Sequence, residues 1–209
     1  MTEDVQKQIR QMFSGGCVFV TGAATIEALP DTSVPEVAFV GRSNVGKSSL
    51  LNALTGQATL ARTSHTPGRT QQLNFFAVPD GSLRLVDLPG YGYAKAAKGA
   101  VKSWNRLIRD YLEFRPNLRH VYILIDSRHG LKDGDREVMK LLDGMGVAYQ
   151  IILTKADKIK KEEMEKMVAA TTADLKKHPA AFPVPHCTSS HKGYGVDDMQ
   201  EKIFLLSRG

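Results

Sequence analysis

The chain is poor in cysteine and in long apolar runs, and each shortage excludes a class. Its 209 residues hold two cysteines, Cys17 and Cys187. Two thiols cannot build a disulfide framework, and neither stands in a CxxC or Cys/His array with zinc-ligand spacing. Both read as buried, inert thiols, the usual fate of a free cysteine. No uncharged run approaches the roughly 18–20 apolar residues that cross a bilayer, and residues 1–13 lack the apolar stretch of a signal peptide. The expectation is a cytoplasmic protein without a membrane partner. No internal repeat or low-complexity tract is visible.

What remains is an ordinary globular composition, 42% hydrophobic and 24% charged. That excludes wholesale disorder and collagen-like or coiled-coil architecture, and the length suits one domain with one organised core. An excess of 28 Lys and Arg over 22 Asp and Glu gives +6. Such a balance suits an anionic partner without specifying one.

Residues 1–35 read as an extension packed on the domain: a polar helical start, a strand over residues 17–21, then Leu29-Pro30 and Pro35. From Glu36 the pattern alternates. The apolar Val37-Ala38-Phe39-Val40 ends at Gly41 and feeds a helix over residues 48–54, the opening of a βαβ unit. Strands over 72–78 and 83–86 flank Pro79-Asp80-Gly81, a turn that predicts an antiparallel hairpin. Between residues 98 and 115, Val101, Trp104, Leu107, Ile108, Tyr111 and Leu112 recur at helical spacing, which puts Trp104 in the core. Strands over 121–125 and 148–153, helices over 136–142 and 160–177, a short strand over 183–187 and a closing helix over 197–206 complete an α/β, three-layer, doubly wound, mostly parallel sheet with one antiparallel strand.

Gly41-Arg42-Ser43-Asn44-Val45-Gly46-Lys47-Ser48 fits GxxxxGK[ST] between a strand and a helix, the context that makes the pattern a phosphate cradle. Glycines let the loop turn tightly and aim successive N–H groups at phosphate oxygens, and the helix N-terminus adds its positive end. Lys47 is the candidate bridge of the β- and γ-phosphates, and Ser48 a ligand of Mg²⁺. Asp87-Leu88-Pro89-Gly90 leaves the next parallel strand beside that loop, where the carboxylate suits a magnesium-bound water and the Gly90 N–H suits the γ-phosphate. Thr154-Lys155-Ala156-Asp157 closes another strand at the same edge. A carboxylate offers only acceptors; guanine presents two adjacent donors where adenine presents an acceptor, so Asp157 predicts guanine selection, with the Lys155 stem along the ring. Thr188-Ser189-Ser190 follows the last strand and is the weakest candidate for the base.

GRSNVGKSS, TPGRTQQLNFF, DLPGYGYAK, TKAD and TSS stand in the order and spacing of the EngB family of small bacterial GTPases, and the chain resembles that family from about Val18 to Leu206. The resemblance implies a Ras-like GTPase domain over residues 36–209, binding of GTP and GDP with Mg²⁺, assistance to large ribosomal subunit assembly through a subunit precursor or its RNA, and a need for the protein in cell division and septation; a monomer is the expectation, with oligomeric state left open by the sequence. It also makes Gly68-Arg69-Thr70-Gln71-Gln72 the first switch, with Thr70 joining Ser48 on Mg²⁺, and Lys47, Thr70 and Gly90 the groups acting on the γ-phosphate.

Two departures from the Ras pattern carry expectations. Tyr91 stands where a water-orienting Gln is usual, so intrinsic hydrolysis should be slow. Thr154 replaces the Asn of NKxD, so a tether from that position to the phosphate loop should be shorter or absent. Asn44 suggests a K⁺ site beside the phosphates, as in related GTPases with Asn at this position. Lys95, Lys98, Lys102, Arg106, Arg109, Arg115 and Arg119 outnumber Asp110 and Glu113 along one segment and are expected to face outward, either towards ribosomal RNA or simply towards solvent. Two other functions stay open: a P-loop kinase, against which TKAD argues, and an RNA-binding module that keeps nucleotide as a structural plug.

Overall fold

The computed structural model describes residues 2–60, 72–91 and 106–208. In chain order the elements are α1 (Glu3–Ser14), β1 (Val18–Ala23), β2 (Glu36–Gly41), α2 (Lys47–Thr55), β3 (Leu73–Ala77), β4 (Arg84–Asp87), α3 (Arg106–Phe114), β5 (Leu118–Asp126), α4 (Asp133–Met145), β6 (Tyr149–Thr154), α5 (Lys161–Leu175), β7 (His186–Cys187) and α6 (Val196–Leu206). They form one seven-stranded sheet in the order β1-β3-β4-β2-β5-β6-β7. β2 pairs in parallel with β4 and β5, and β5–β6 and β6–β7 continue the parallel run. β3 runs against both its neighbours, so it is the one antiparallel strand.

That strand owes its direction to the expected turn. Gly81 takes φ +71° and donates its N–H to the Val78 carbonyl at 2.9 Å, and Val78 N–H closes the hairpin on the Leu83 carbonyl at 3.0 Å. The four-residue turn Pro79-Asp80-Gly81-Ser82 cannot carry the chain back to the far end of the sheet, so β3 and β4 must run opposite ways.

Alternation along the central strands divides the core in two. Val37 and Phe39 of β2, with Leu85, Tyr122, Leu124 and Ile152, face α1, α2 and α6. Ala38, Val40, Val86, Val121, Ile123, Ile151 and Leu153 face α3, α4 and α5. All six residues of β2 and all six of β6 are buried, as continuous apolar strands covered on both faces must be. The helix faces agree with the expected spacing: Leu107, Ile108, Tyr111 and Leu112 of α3 are buried. Val101 and Trp104 lie outside the described residues.

Residues 2–35 are built into this frame. α1 buries Ile9, Met12 and Phe13, and β1 adds an edge strand to β3, with Phe19 set edge-on to Phe76 at 5.8 Å. Cys17 is buried, which pushes its thiol up to about 12, and partial burial raises Cys187 as well. Neither thiol is therefore primed as a thiolate.

At the N-terminal end of the strands a charged cluster sits in the interior. Glu36 is fully buried and accepts from Arg115 through two nitrogens, at 2.6 and 3.0 Å, and from the Tyr111 hydroxyl at 3.0 Å. Arg84 adds an ion pair to Asp31 at 2.9 Å, and Arg115 also donates to the Pro30 carbonyl at 2.8 Å. These two arginines staple the approach segment to the sheet. The expectation that Arg115 faces outward is thus overturned: its side chain is 6% exposed, because β2 begins with a buried carboxylate that draws in Arg115, just past α3, at 2.6 Å and Arg84 at 3.7 Å. Arg106 and Arg119 are exposed, as expected, and Arg109 is half-buried; Lys95, Lys98 and Lys102 lie outside the described residues.

Candidate functional site

The C-terminal ends of β2, β4 and β6 come together beside the start of α2, as parallel pairing requires. Between β2 and α2 the loop from Gly41 to Ser48 turns through two left-handed residues, Asn44 at φ +60° and Gly46 at φ +102°. Its entry admits only glycine, since a Cβ on Gly41 would lie 2.8 Å from Val45 Cγ1 and 2.9 Å from the Leu124 carbonyl. Arg42 and Asn44 are exposed and Ser43 half-buried on the turn, while Val45 is buried and anchors the loop to the core.

Lys47 opens α2, and its ammonium contacts the Asp87 carboxylate and, at 2.8 Å, the Leu88 carbonyl. Asp87 ends β4 with its side chain 4% exposed, and Leu88 N–H continues the ladder onto the Phe39 carbonyl at 3.0 Å. Gly90 presses directly on the loop: a Cβ there would come within 2.9 Å of the Gly41 carbonyl. Lys47, Ser48, Asp87, Leu88, Pro89 and Gly90 therefore form one unit with the phosphate-loop backbone. Ser48 sits in the first turn of α2. Its hydroxyl and the Asp87 carboxylate are hard oxygen donors on the two elements that meet here, a donor set that fits Mg²⁺.

Tyr91 turns away from this unit. It is 1% exposed and bridges in parallel to Arg42, and its hydroxyl donates to Asp135 Oδ1 at 2.7 Å. Burial, reinforced by the Asp135 charge, pushes the phenol well above its ordinary range. Asp135 also accepts the Lys132 N–H at 2.7 Å at the start of α4.

The TKAD segment is tied to the phosphate loop by two hydrogen bonds. Thr154 Oγ1 donates to the Val45 carbonyl at 2.6 Å, so of the two expected outcomes the tether is the shorter one and is not absent. Its Oγ1 also lies 3.2 Å from the Ile125 carbonyl. β6 ends close enough to the loop for a side chain one atom shorter than Asn to span the gap. Lys155, left-handed at φ +57°, crosses the same gap and donates to the Asn44 carbonyl at 2.6 Å.

A short helical turn, Ala156–Lys158, then presents Asp157. The Ala156 N–H is held by the Thr188 carbonyl at 3.0 Å, and Ser189 Oγ donates to Asp157 Oδ1 at 2.6 Å. That hydroxyl is the main reason the Asp157 carboxyl titrates below its ordinary range. Ser189 is itself fixed, its N–H on the Tyr194 carbonyl at 2.9 Å and its Oγ accepting Lys192 N–H at 3.1 Å. Thr188 is buried and Ser190 half-buried in the turn that follows. Thr188-Ser189-Ser190 is the weakest of the motifs by sequence, yet Ser189 is the residue that orients the carboxylate, and its signal is position after the last strand.

Of the residues expected to form the first switch, Gln72 is described and lies exposed just before β3, while Gly68, Arg69, Thr70 and Gln71 lie outside the described residues. Among the described residues, no helix is long and apolar enough to cross a membrane.

A phosphate loop between strand and helix, an Asp on the neighbouring parallel strand and a TKAD loop tied back to the first define the class of P-loop GTPase domains. The comparisons agree. Residues 36–155 match the family model described as "50S ribosome-binding GTPase". The chain is 54% identical over 202 residues to "Probable GTP-binding protein EngB" of Rhodospirillum rubrum, covering 95% of this chain and 87% of that one. It is 53% identical over 204 residues to the protein of that name from Rhodopseudomonas palustris strain TIE-1, covering 97% and 94%. A crystal structure of a probable GTP-binding protein engB superposes with a TM-score of 0.60 at 21% identity, over 83% of this chain and 98% of that one, and supports the fold. The chain belongs to the EngB family.

Proposed function

We propose that the protein binds GTP and GDP with Mg²⁺, hydrolyses GTP slowly, and serves as a switch in assembly of the large ribosomal subunit. The observation that carries the reading is convergence: the loop at 41–48, the Asp87–Gly90 segment and the Thr154–Asp157 segment meet through the Lys47 contact with Asp87, the Thr154 bond to Val45 and the Lys155 bond to Asn44.

In this reading Lys47 exchanges part of its hold on Asp87 for the β- and γ-phosphates, and the loop N–H groups receive the remaining charge. Ser48, with Thr70, would hold Mg²⁺, which supplies charge neutralisation at the phosphate oxygens. Asp157, kept ionised by Ser189, accepts from the two guanine donors. The Gly90 N–H meets the γ-phosphate, and the contact of Gly90 with the loop backbone makes that encounter sensitive to the phosphate's presence. Tyr91 cannot orient water while its hydroxyl serves Asp135, which supports slow turnover. The same observation favours a second reading, a nucleotide-plugged ribosome-binding module with negligible hydrolysis. Asn44 would hold K⁺; equal turnover in K⁺ and Na⁺ would exclude that role.

The ribosomal part rests on the description of the matched family and on the positive charge, and with it come the expected role in cell division and septation, a cytoplasmic location and a monomeric state. Residues 36–209 would be the GTP-binding unit, with residues 1–35 as its packed extension. Measuring GTP turnover with and without large-subunit precursors tests the whole: stimulated hydrolysis supports the switch, and hydrolysis absent under both conditions supports the plug.

A further inference from the structure

One carboxylate at the site edge belongs to none of the motifs. Asp126 closes β5 between the strands that end in Gly41 and Thr154, and its side chain is 12% exposed. Its Oδ2 lies 2.9 Å from Lys155 Nζ. Arg128, two residues on, grips the same group: its N–H and Nε reach Oδ1 at 3.1 and 2.9 Å, and Nη2 reaches Oδ2 at 2.7 Å. Burial pushes the carboxyl up, but the donors from Arg128 and Lys155 outweigh it and hold Asp126 well below the usual carboxylate range. These donors favour its anionic form.

Lys155 thus has two fixed acceptors, the Asn44 carbonyl at 2.6 Å on one side and Asp126 on the other. Asn44 and Lys155 are also the two non-glycine residues with left-handed backbone among the described residues. Such conformations persist where surrounding contacts impose them, and each of these two residues is the other's contact. A lysine stem has four rotatable bonds and by default follows its ammonium into water. Here a rigid anion, itself locked by a forked guanidinium, denies it that freedom.

We propose that Asp126 is the positioning residue of the guanine site: it holds Lys155 across the gap between the base loop and the phosphate loop, so that the stem forms a preset wall for the purine and the ammonium keeps Asn44 in its turned conformation. The inference rests on the guanine-nucleotide reading and names a residue through which that site is organised.

The test is a double-substitution cycle read by titration calorimetry with GDP and ADP, on wild type, Asp126→Asn, Lys155→Met and the pair. Methionine keeps an apolar stem of similar length without the charge. Asp126→Asn should weaken GDP binding about tenfold by removing one charge-assisted contact. In the Lys155→Met background the same change should alter affinity less than about twofold, because the residue it acts through is gone. If the two losses multiply, or if Asp126→Asn binds GDP like wild type, the positioning role is overturned while the guanine reading stands. If wild type holds ADP as tightly as GDP, or holds neither, both fall. Should Asp126→Asn fail to fold, Asp126→Glu runs the same cycle; it keeps the charge on a longer stem, so a smaller loss that also vanishes beside Lys155→Met is expected, and a loss that multiplies overturns the proposal.

Discussion

The two ends of the sheet each gather charge, and they treat it in opposite ways. At the N-terminal end Glu36, Arg115, Arg84 and Tyr111 close on one another inside the protein, with Glu36 fully buried. At the C-terminal end Lys47, Asp87, Lys155 and Asp157 sit at element ends and in the turns between them, where Asn44 and Lys155 hold left-handed backbone without glycine's freedom. The first cluster is complete in itself and holds elements together. The second keeps groups aimed at a common space, with Lys47 resting on Asp87 and Asp157 on Ser189. Complete satisfaction marks structure; partners that a ligand can replace mark the site.

That contrast breaks first under Lys47→Ala, which removes the central cation of the outer cluster. Truncating one partner of a buried charge pair costs about 2–5 kcal/mol, so nucleotide affinity should fall by a factor on the order of a hundred or more. Fluorescent-GDP titration checks it. Arg115→Met should do the reverse. It leaves Glu36 buried without its main cation and should lower stability by about 3–5 kcal/mol, read from denaturant midpoints without nucleotide, while folded protein keeps GDP affinity within about twofold.

Gly90→Ala sharpens the comparison, because its methyl would meet a backbone carbonyl that has no rotamer to escape into. Overpacking of this kind costs about 1–3 kcal/mol, and the γ-phosphate side should bear it: GTP affinity falls more than GDP affinity. Thr154→Val removes the donor to Val45 and should weaken both nucleotides by about 1 kcal/mol, or roughly fivefold. Smallest is Ser189→Ala. The Asp157 carboxyl is held below its ordinary range chiefly by that hydroxyl. Affinity owed to the anion is present above that depressed value and lost as pH falls through it. Without Ser189 the loss should begin at a higher pH, visible in GDP titrations between neutrality and acid.

The C-terminal end was the more legible one. Hydrophobic runs and turn residues are local, so β2, the β3–β4 hairpin and the α3 face could be read directly. The motifs lie at strand ends, and parallel pairing alone brings strand ends together. Contacts set by three-dimensional spacing were not readable. Thr154 and Val45 are far apart in sequence, and no spacing rule gives the distance between their loops. Arg115 looked like one more surface cation because its partner, Glu36, reads as a charged residue before a strand rather than a buried one. Asp126 carries no sequence signal of its own, because the apolar run of β5 stops at Ile125, one residue before the carboxylate.

The central claim is that Asp157, fixed at the C-terminal sheet edge, reads guanine. Titrating wild type and Asp157→Asn with GDP, xanthosine diphosphate and ADP tests it most directly. The carboxylate accepts from two guanine donors, whereas an amide can donate to the carbonyl that xanthine carries in place of the amine. Wild type should prefer GDP by roughly 10⁴, and Asp157→Asn should shift preference to the xanthine nucleotide. Equal affinities in wild type, or an unchanged ranking in the variant, would contradict the account.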